Sequence, residues 1–147
     1  MKGTNRKHMD WTISILGSQQ SFGDDDEEQF ELITEGSFSR CGDKTRISYS
    51  DVGMPGPGTS ETTFLVEPSR ITLTRASWYG GDMVFDEKKK HHFLYQTPFG
   101  ALTMGIDTES ITRELNERGG GLHIKYALDV DNVVVSRNSF KIDVKPA

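Results

Sequence analysis

The sequence contains a single cysteine, Cys41, so no disulfide can form within the chain. A lone thiol is typical of proteins that stay in a reducing compartment, and we expect a cytoplasmic location. No apolar run approaches the roughly 20 residues that a membrane-spanning helix needs. The basic N-terminal segment is not followed by the apolar core of a signal peptide. The sequence therefore predicts a protein that does not enter a membrane.

Positive charge is also scarce, since the net charge is −5 and the isoelectric point is about 5.3. This balance argues against nucleic acid or an anionic membrane as the main partner. Eight Phe, four Tyr and two Trp supply enough aromatic surface for a packed core, which argues against disorder. We expect one domain over residues 1–147, with residues 1–8 as a flexible N-terminus.

The sequence lacks a recognisable catalytic or phosphate-binding motif. The Pro- and Gly-rich loop at 54–58 is followed by neither a helical pattern nor Gly-Lys-Ser/Thr, so it does not fit a phosphate-binding loop. Five consecutive acids occupy positions 24–28, but Gln29 stands where a calcium-binding loop needs glycine. That acidic block is more typical of a solvated loop.

The histidines and the cysteine do not form a convincing reactive cluster. His91 and His92 are adjacent, and on a strand they point to opposite faces, so a metal site would also need a bend and His123. Cys41 lies beside Arg40, but no His–acid partner is identifiable, and a small, semi-buried thiol is expected there. We predict no catalytic residues, no metal site and no cofactor.

Short runs of alternating apolar and polar residues are abundant, and turns rich in Gly, Pro or acidic residues separate them. The clearest run covers 122–130, and a strand–turn–strand pattern covers 95–107. Residues 108–118 fit either a short helix or a strand. The glycines at 119–121 favour a hairpin, and hence a strand. About ten strands and no helix are predicted.

Ten short antiparallel strands favour an all-β barrel, closed or nearly closed, over a two-sheet sandwich. The first strand, 11–16, and the last, 140–144, carry no proline that would blunt an edge. Their pairing would join the two ends of the chain and close the sheet. A sandwich remains the alternative architecture.

The apolar side chains that share one face of each predicted strand are expected to point into the barrel. A barrel of this size is either filled by side chains or holds one small ligand, and we expect the interior to be filled or nearly filled. Arg75 and His91 share the apolar faces and are candidate polar anchors at a mouth, with Asp51 as a possible partner for Arg75. The predicted lumen and ligand-binding residues are Tyr49, Arg75, His91, Tyr95, Met104 and Tyr126.

Several segments resemble the YwiB-like family of small bacterial proteins of unassigned function. The matching segments are E-L-I-T-E-G at 31–36, T-T-F-L-V-E at 62–67, Q-T-P-F-G at 96–100, M-G-I-D-T at 104–108 and G-G-L-H-I-K-Y-A-L at 120–128. I-S-Y at 47–49 and S-R-N-S-F-K-I at 136–142 complete the set. The resemblance implies a calycin-like, or lipocalin-like, β-barrel and supplies no catalytic residues.

Together these features favour a protein that binds a small apolar or amphipathic ligand within a barrel. A structural or protein-interaction module that uses the outer face of the barrel is the first alternative. An enzyme of unassigned reaction is the second alternative.

Overall fold

The computed structural model describes residues 11–23, 26–51, 60–75 and 82–147. The predicted flexible N-terminus (1–8), the loop at 54–58 and the first two acids of the 24–28 block fall outside them. The described residues form ten strands and no helix. The strands are β1 (Trp11–Ser21), β2 (Glu27–Cys41), β3 (Lys44–Asp51), β4 (Ser60–Val66), β5 (Ile71–Arg75), β6 (Met83–Phe85), β7 (His91–Thr97), β8 (Gly100–Asn116), β9 (Gly119–Val130) and β10 (Val133–Pro146).

All ten strands belong to one antiparallel sheet that curls into a nearly closed barrel. The strand order is β6-β5-β4-β3-β2-β1-β10-β9-β8-β7. The predicted pairing of the first and last strands is confirmed, since β1 and β10 pair from Trp11↔Pro146 to Ser21↔Ser136. That pairing does not close the sheet, however. The sheet ends at β6 and β7, which lie side by side but share no ladder among the described residues.

The turns follow local backbone chemistry. Asp131 and Asn132 have φ values of 50° and 69°, which suits the two-residue hairpin turn between β9 and β10. The uncertain segment 108–118 is a strand as far as Asn116, where β8 ends. The β8–β9 turn falls on residues 117–118, so the prediction of a turn at 119–121 is wrong. Gly119 instead begins β9 with a φ of 104°.

Two irregularities bend the long strands. The register shifts between Thr108 and Ser110 in β8, and again between Val134 and Ser136 in β10. Each shift leaves one extra residue on its strand, and such bulges increase local bend and twist. These bends help a sheet with strands of up to 17 residues curl into a barrel.

The alternation seen in the sequence places the apolar side chains inside the barrel. Many are fully buried, and each contributes about 1.5–3 kcal/mol relative to an exposed position. The side chains with less than 2% exposure include Ile13, Ile15, Ile47, Phe64, Ile71, Phe85, Ile106, Ile124, Ile142 and Val144. Aromatic rings extend this core. The ring centroid of Tyr126 lies 4.8 Å from that of Phe85, and it lies 6.0 Å from that of Phe140, on which the ring stacks. Much of the interior is therefore filled.

Candidate functional site

The filled core gives way to a cavity of about 290 Å³ near one end of the barrel. This is the end at which β1, β5, β7 and β9 terminate, and we call it the cavity end. The lining side chains come from both flanks of the β6–β7 boundary and from the strands opposite. They are Gln19, Leu73, Arg75, Asp82, Met83, Phe93, Tyr95, Met104, Tyr126, Leu128, Asn138 and Phe140.

The walls of the cavity are mainly apolar and are fixed by ladder pairs. Leu73 pairs with Met83 across β5 and β6, and Phe93 pairs with Met104 across β7 and β8. Because ladder partners project to the same face of a sheet, each pair presents two adjacent apolar side chains to the cavity. Tyr126, from β9, contributes a ring that is only 5% exposed. The arrangement suits an apolar ligand body.

A few polar side chains share these walls. Gln19 and Asn138 are ladder partners on β1 and β10, and the Asn138 amide donates to the Ser136 hydroxyl at 3.0 Å. Arg75 ends β5 and brings a guanidinium to the cavity, while the exposed Asp82 precedes β6. A mostly apolar cavity with a few polar groups is the usual composition of a small-molecule site.

The Tyr126 phenol is held in its protonated form. Burial raises its pKa, because a phenolate would be costly in this environment, and the nearby positive charge of Arg75 offsets only part of that rise. At neutral pH the hydroxyl is a neutral donor and acceptor, as in any tyrosine, and the raised pKa keeps it so to higher pH. Tyr126 and Arg75 thus give the cavity one neutral and one cationic donor.

A smaller pocket of about 200 Å³ adjoins the cavity on the β1–β2 side. The two share Gln19, Tyr126, Asn138 and Phe140. Phe30 lines the smaller pocket with its ring edge-on to Phe140 at 6.2 Å, and remains 53% exposed. Phe30 faces inward, as the alternation predicts, but lies at the cavity end and is not enclosed.

The structure brings four of the six predicted ligand-binding residues together. Arg75, Tyr95, Met104 and Tyr126 line the same cavity. Tyr49 is buried in the core and does not line it. The predicted partner Asp51 ends β3, and its side chain lies outside the described residues.

His91 is not at the cavity either, which corrects its prediction as an anchor at the mouth. Its Nε2 lies 3.5 Å from Oδ2 of Asp86, which immediately follows β6. The pKa of Asp86 is lowered chiefly by a hydrogen bond from the Lys88 backbone N–H, and also by His91. His91 therefore bridges β7 to the end of β6 and is not among the side chains that line the cavity.

Sequence reasoning missed some lining residues. Gln19 continues the inward phase of Ile15 and Gly17, and Asn138 continues that of Phe140. Polar residues at the ends of apolar alternations were the signal that identified Arg75. The same criterion applied to β1 and β10 would have found both amides.

The other predicted reactive groups do not converge. Among residues 11–23, 26–51, 60–75 and 82–147, no three His, Cys, Asp or Glu side chains are placed to hold a metal ion. Cys41 is exposed at the end of β2, and not semi-buried as expected. Lys90, from the basic cluster at 88–90, forms an ion pair with Asp129. Within the described part of the chain, no helix is long and apolar enough to cross a membrane.

Comparison with known proteins identifies the family. A family model described as "Domain of unknown function (DUF1934)" matches residues 13–142. The chain belongs to this family. Its fold is similar to that of the solved ywiB protein from Bacillus subtilis, with a TM-score of 0.68 and 20% identity over 95% of this chain and 96% of that one. A search of curated proteins gave no match. The YwiB-like resemblance and the barrel are thus confirmed.

Proposed function

We propose that this barrel binds a small amphipathic molecule, with the apolar part in the cavity and an anionic head on Arg75. The observation that carries the proposal is the cavity of about 290 Å³, which has apolar walls on both sides of the β6–β7 boundary. Apolar concavities with a few oriented polar groups are typical of ligand sites. A filled barrel would leave no such space.

The size of the cavity limits the ligand. Ligand pockets commonly measure about 300–1,000 Å³, so this one is at the lower end of the range. A short alkyl chain or a single ring with a polar head suits this volume. A long-chain lipid would extend beyond it.

Arg75 favours an anionic head on such a ligand. A guanidinium has five N–H donors in a planar fork and binds carboxylates in a bidentate manner. Arg75 already has an interaction within the protein, and its several donors allow a further acceptor to bind. The protonated Tyr126 hydroxyl and the amides of Gln19 and Asn138 add neutral partners. A carboxylate with an apolar tail matches this set.

A thermal-shift titration with three matched eight-carbon compounds tests the proposal. Octanoate, octanol and octylamine share an alkyl chain and differ in the charge of the head. We expect octanoate to raise the melting temperature most, and Arg75→Met to remove its advantage over octanol. The matched control is Arg46→Met, which removes an exposed guanidinium from β3 without touching the cavity.

Two results would count against this function. If none of the three compounds shifts the melting temperature, small amphipathic ligands are not bound. If octylamine binds best, the anchor is a carboxylate such as Asp82, and the assigned role of Arg75 fails. A molecule retained through purification and detected by native mass spectrometry would give direct support.

A protein-interaction role for the outer face is a second candidate, and an exposed apolar pair favours it. Ile33 is 64% exposed and Leu16 is 41% exposed on the outer faces of β2 and β1. Their ladder partners, Ser14 and Glu31, place them diagonally next to each other. If Ile33→Ser abolishes association with a co-eluting protein and leaves octanoate binding unchanged, the outer face is the functional surface.

The proposed compartment is the cytoplasm. The support is the single cysteine, which cannot form a disulfide within this chain. Cys41 is exposed, so an oxidising compartment would leave its thiol open to oxidation. Cell fractionation with an antibody against the protein tests the location, and recovery outside the cytoplasmic fraction would contradict it.

A further inference from the structure

A separate pocket of about 290 Å³ lies at the opposite end of the barrel, where β2, β4 and β8 terminate. It shares no lining residue with the first cavity. Its lining is more polar and includes two arginines, one from β2 and one from β8. The side chains that matter here are Arg40, Asp43, Thr45, Arg113 and Glu114.

The two arginines reach this pocket from different strands and are held by main-chain carbonyls. Arg40 Nη1 donates to the Leu115 carbonyl at 3.4 Å, and Arg113 Nη1 donates to the Glu67 carbonyl at 2.5 Å. Within the described ranges, neither arginine forms an ion pair with a carboxylate. Because each guanidinium has five N–H donors, several remain available to a ligand.

Both arginines line one pocket, and among the described residues neither is paired with a carboxylate, although the chain has 22 acidic and 17 basic residues. Paired arginines are well suited to tetrahedral oxyanions, because the planar fork binds two oxygens at once. Thr45 lies beside them in the pocket and is only 4% exposed. Its hydroxyl can act as a further donor.

The acidic side chains of the pocket narrow the choice of oxyanion. Asp43 and Glu114 also line it, and ionised carboxylates act only as acceptors. They repel a fully deprotonated anion but can accept a hydrogen bond from one that carries a proton. Near neutral pH, hydrogenphosphate offers both acceptor oxygens and an O–H donor, whereas sulfate carries no proton.

We propose that this pocket binds inorganic phosphate, which carries at least one proton near neutral pH. Arg40 and Arg113 contact the phosphate oxygens, Thr45 donates a hydrogen bond, and Asp43 or Glu114 accepts a hydrogen bond from the phosphate O–H. The site is separate from the amphipathic-ligand cavity and does not depend on it. The two sites therefore predict independent binding events at opposite ends of one barrel.

An NMR titration that follows the arginine Nε–H signals of ¹⁵N-labelled protein tests the site. Inorganic phosphate, glycerol phosphate and sulfate are added at constant ionic strength. We expect saturable shifts of the Arg40 and Arg113 signals with inorganic phosphate, and weaker binding of glycerol phosphate, whose phosphate group is mostly a dianion without a proton near neutral pH. Sulfate should bind more weakly.

Matched variants locate the binding. Arg40→Gln and Arg113→Gln should each weaken phosphate binding by about tenfold or more, as expected when a hydrogen bond to a charged group is lost. Arg46→Gln removes an exposed guanidinium next to Thr45 in sequence and should have no effect. Should Arg113→Gln not fold, Arg113→Lys keeps the charge and removes the fork, and weaker binding is again expected.

Three outcomes would overturn the proposal. Shifts that never saturate would show only screening by added salt. Sulfate binding as tight as phosphate binding would remove the role of the two carboxylates. An equal loss of affinity in the Arg46→Gln control would show that overall charge, and not this pocket, attracts the anion.

Discussion

The carboxylate of Asp129 lies against Gly105, its ladder partner on β8, in the space that a side chain at position 105 would fill. A Cβ atom on Gly105 would be 2.6 Å from Asp129 Oδ1 and 2.6 Å from Lys90 Cε. Lys90 forms an ion pair with this carboxylate and also donates to Asn132 Oδ1 at 3.3 Å. Because Gly105 has no side chain, there is room for this ion pair. It links Lys90, just before β7, to Asp129 in β9 and to Asn132 in the β9–β10 turn.

The first prediction is that Lys90→Met destabilises the protein by about 2–3 kcal/mol. Losing one partner of a fully buried pair costs about 3–5 kcal/mol, but the Lys90 side chain is 32% exposed, so a smaller cost is expected. The Asp129 side chain, only 5% exposed, would keep a charge without its cation. Urea denaturation measures the change. Lys89→Met, at an exposed neighbouring position, is the control and should be nearly neutral.

The second prediction concerns Tyr126, whose ring packs against Phe85 and Phe140. Tyr126→Ala should cost about 3–5 kcal/mol, as for other buried aromatic residues. Tyr126→Phe keeps the ring and should cost much less in denaturation experiments. A loss below about 1 kcal/mol for Tyr126→Ala would contradict the inward facing of this strand.

The third prediction concerns Gly100, which begins β8 with a φ of 123°. A Cβ there would meet nothing within 4 Å, so any penalty comes from the backbone and not from a clash. Gly100→Val should lower stability by about 1–3 kcal/mol, the usual cost of a strained backbone conformation. Ala101→Val adds the same side chain at the next exposed position. Equal melting temperatures for the two variants would exclude backbone strain.

The fourth prediction is a pH dependence caused by Asp86. The pKa of Asp86 is lowered in the folded protein from its ordinary value of 3.8. Its stabilising effect is therefore present above pH 3.8 and is lost as the pH falls through the lower folded value. The stability difference between wild type and Asp86→Asn should shrink as the pH falls below about 3.8. A difference that is constant from pH 6 to pH 2.5 would contradict this linkage.

Much of the fold could be predicted because strand alternation records which side chains are buried. The run with Leu122, Ile124 and Tyr126 is buried as the pattern indicates. Closure of the sheet was harder to predict. The β1–β10 pairing was correct, but β6 has only three residues, so the edge beside β7 had no long alternating run to mark it.

The candidate site was only partly predictable, because alternation gives the face of a side chain but not its depth. Tyr49 and Tyr126 both face inward, yet only Tyr126 lines the cavity. His91 is in phase with Phe93 but interacts with Asp86, which a different strand positions. Such positions along the barrel axis depend on ladder register, and a shift of two residues changes the depth of a side chain without changing its face, so alternation alone does not reveal it.

The most direct test of the account is calorimetric titration of octanoate into a variant with a filled cavity. Met104→Trp places an indole ring in the cavity, whereas Leu94→Trp adds the same ring on the exposed outer face of β7. We expect wild type and Leu94→Trp to bind one octanoate per chain, and Met104→Trp to bind none while it still folds cooperatively. Octanoate binding by folded Met104→Trp with the affinity of wild type would contradict ligand binding in this cavity.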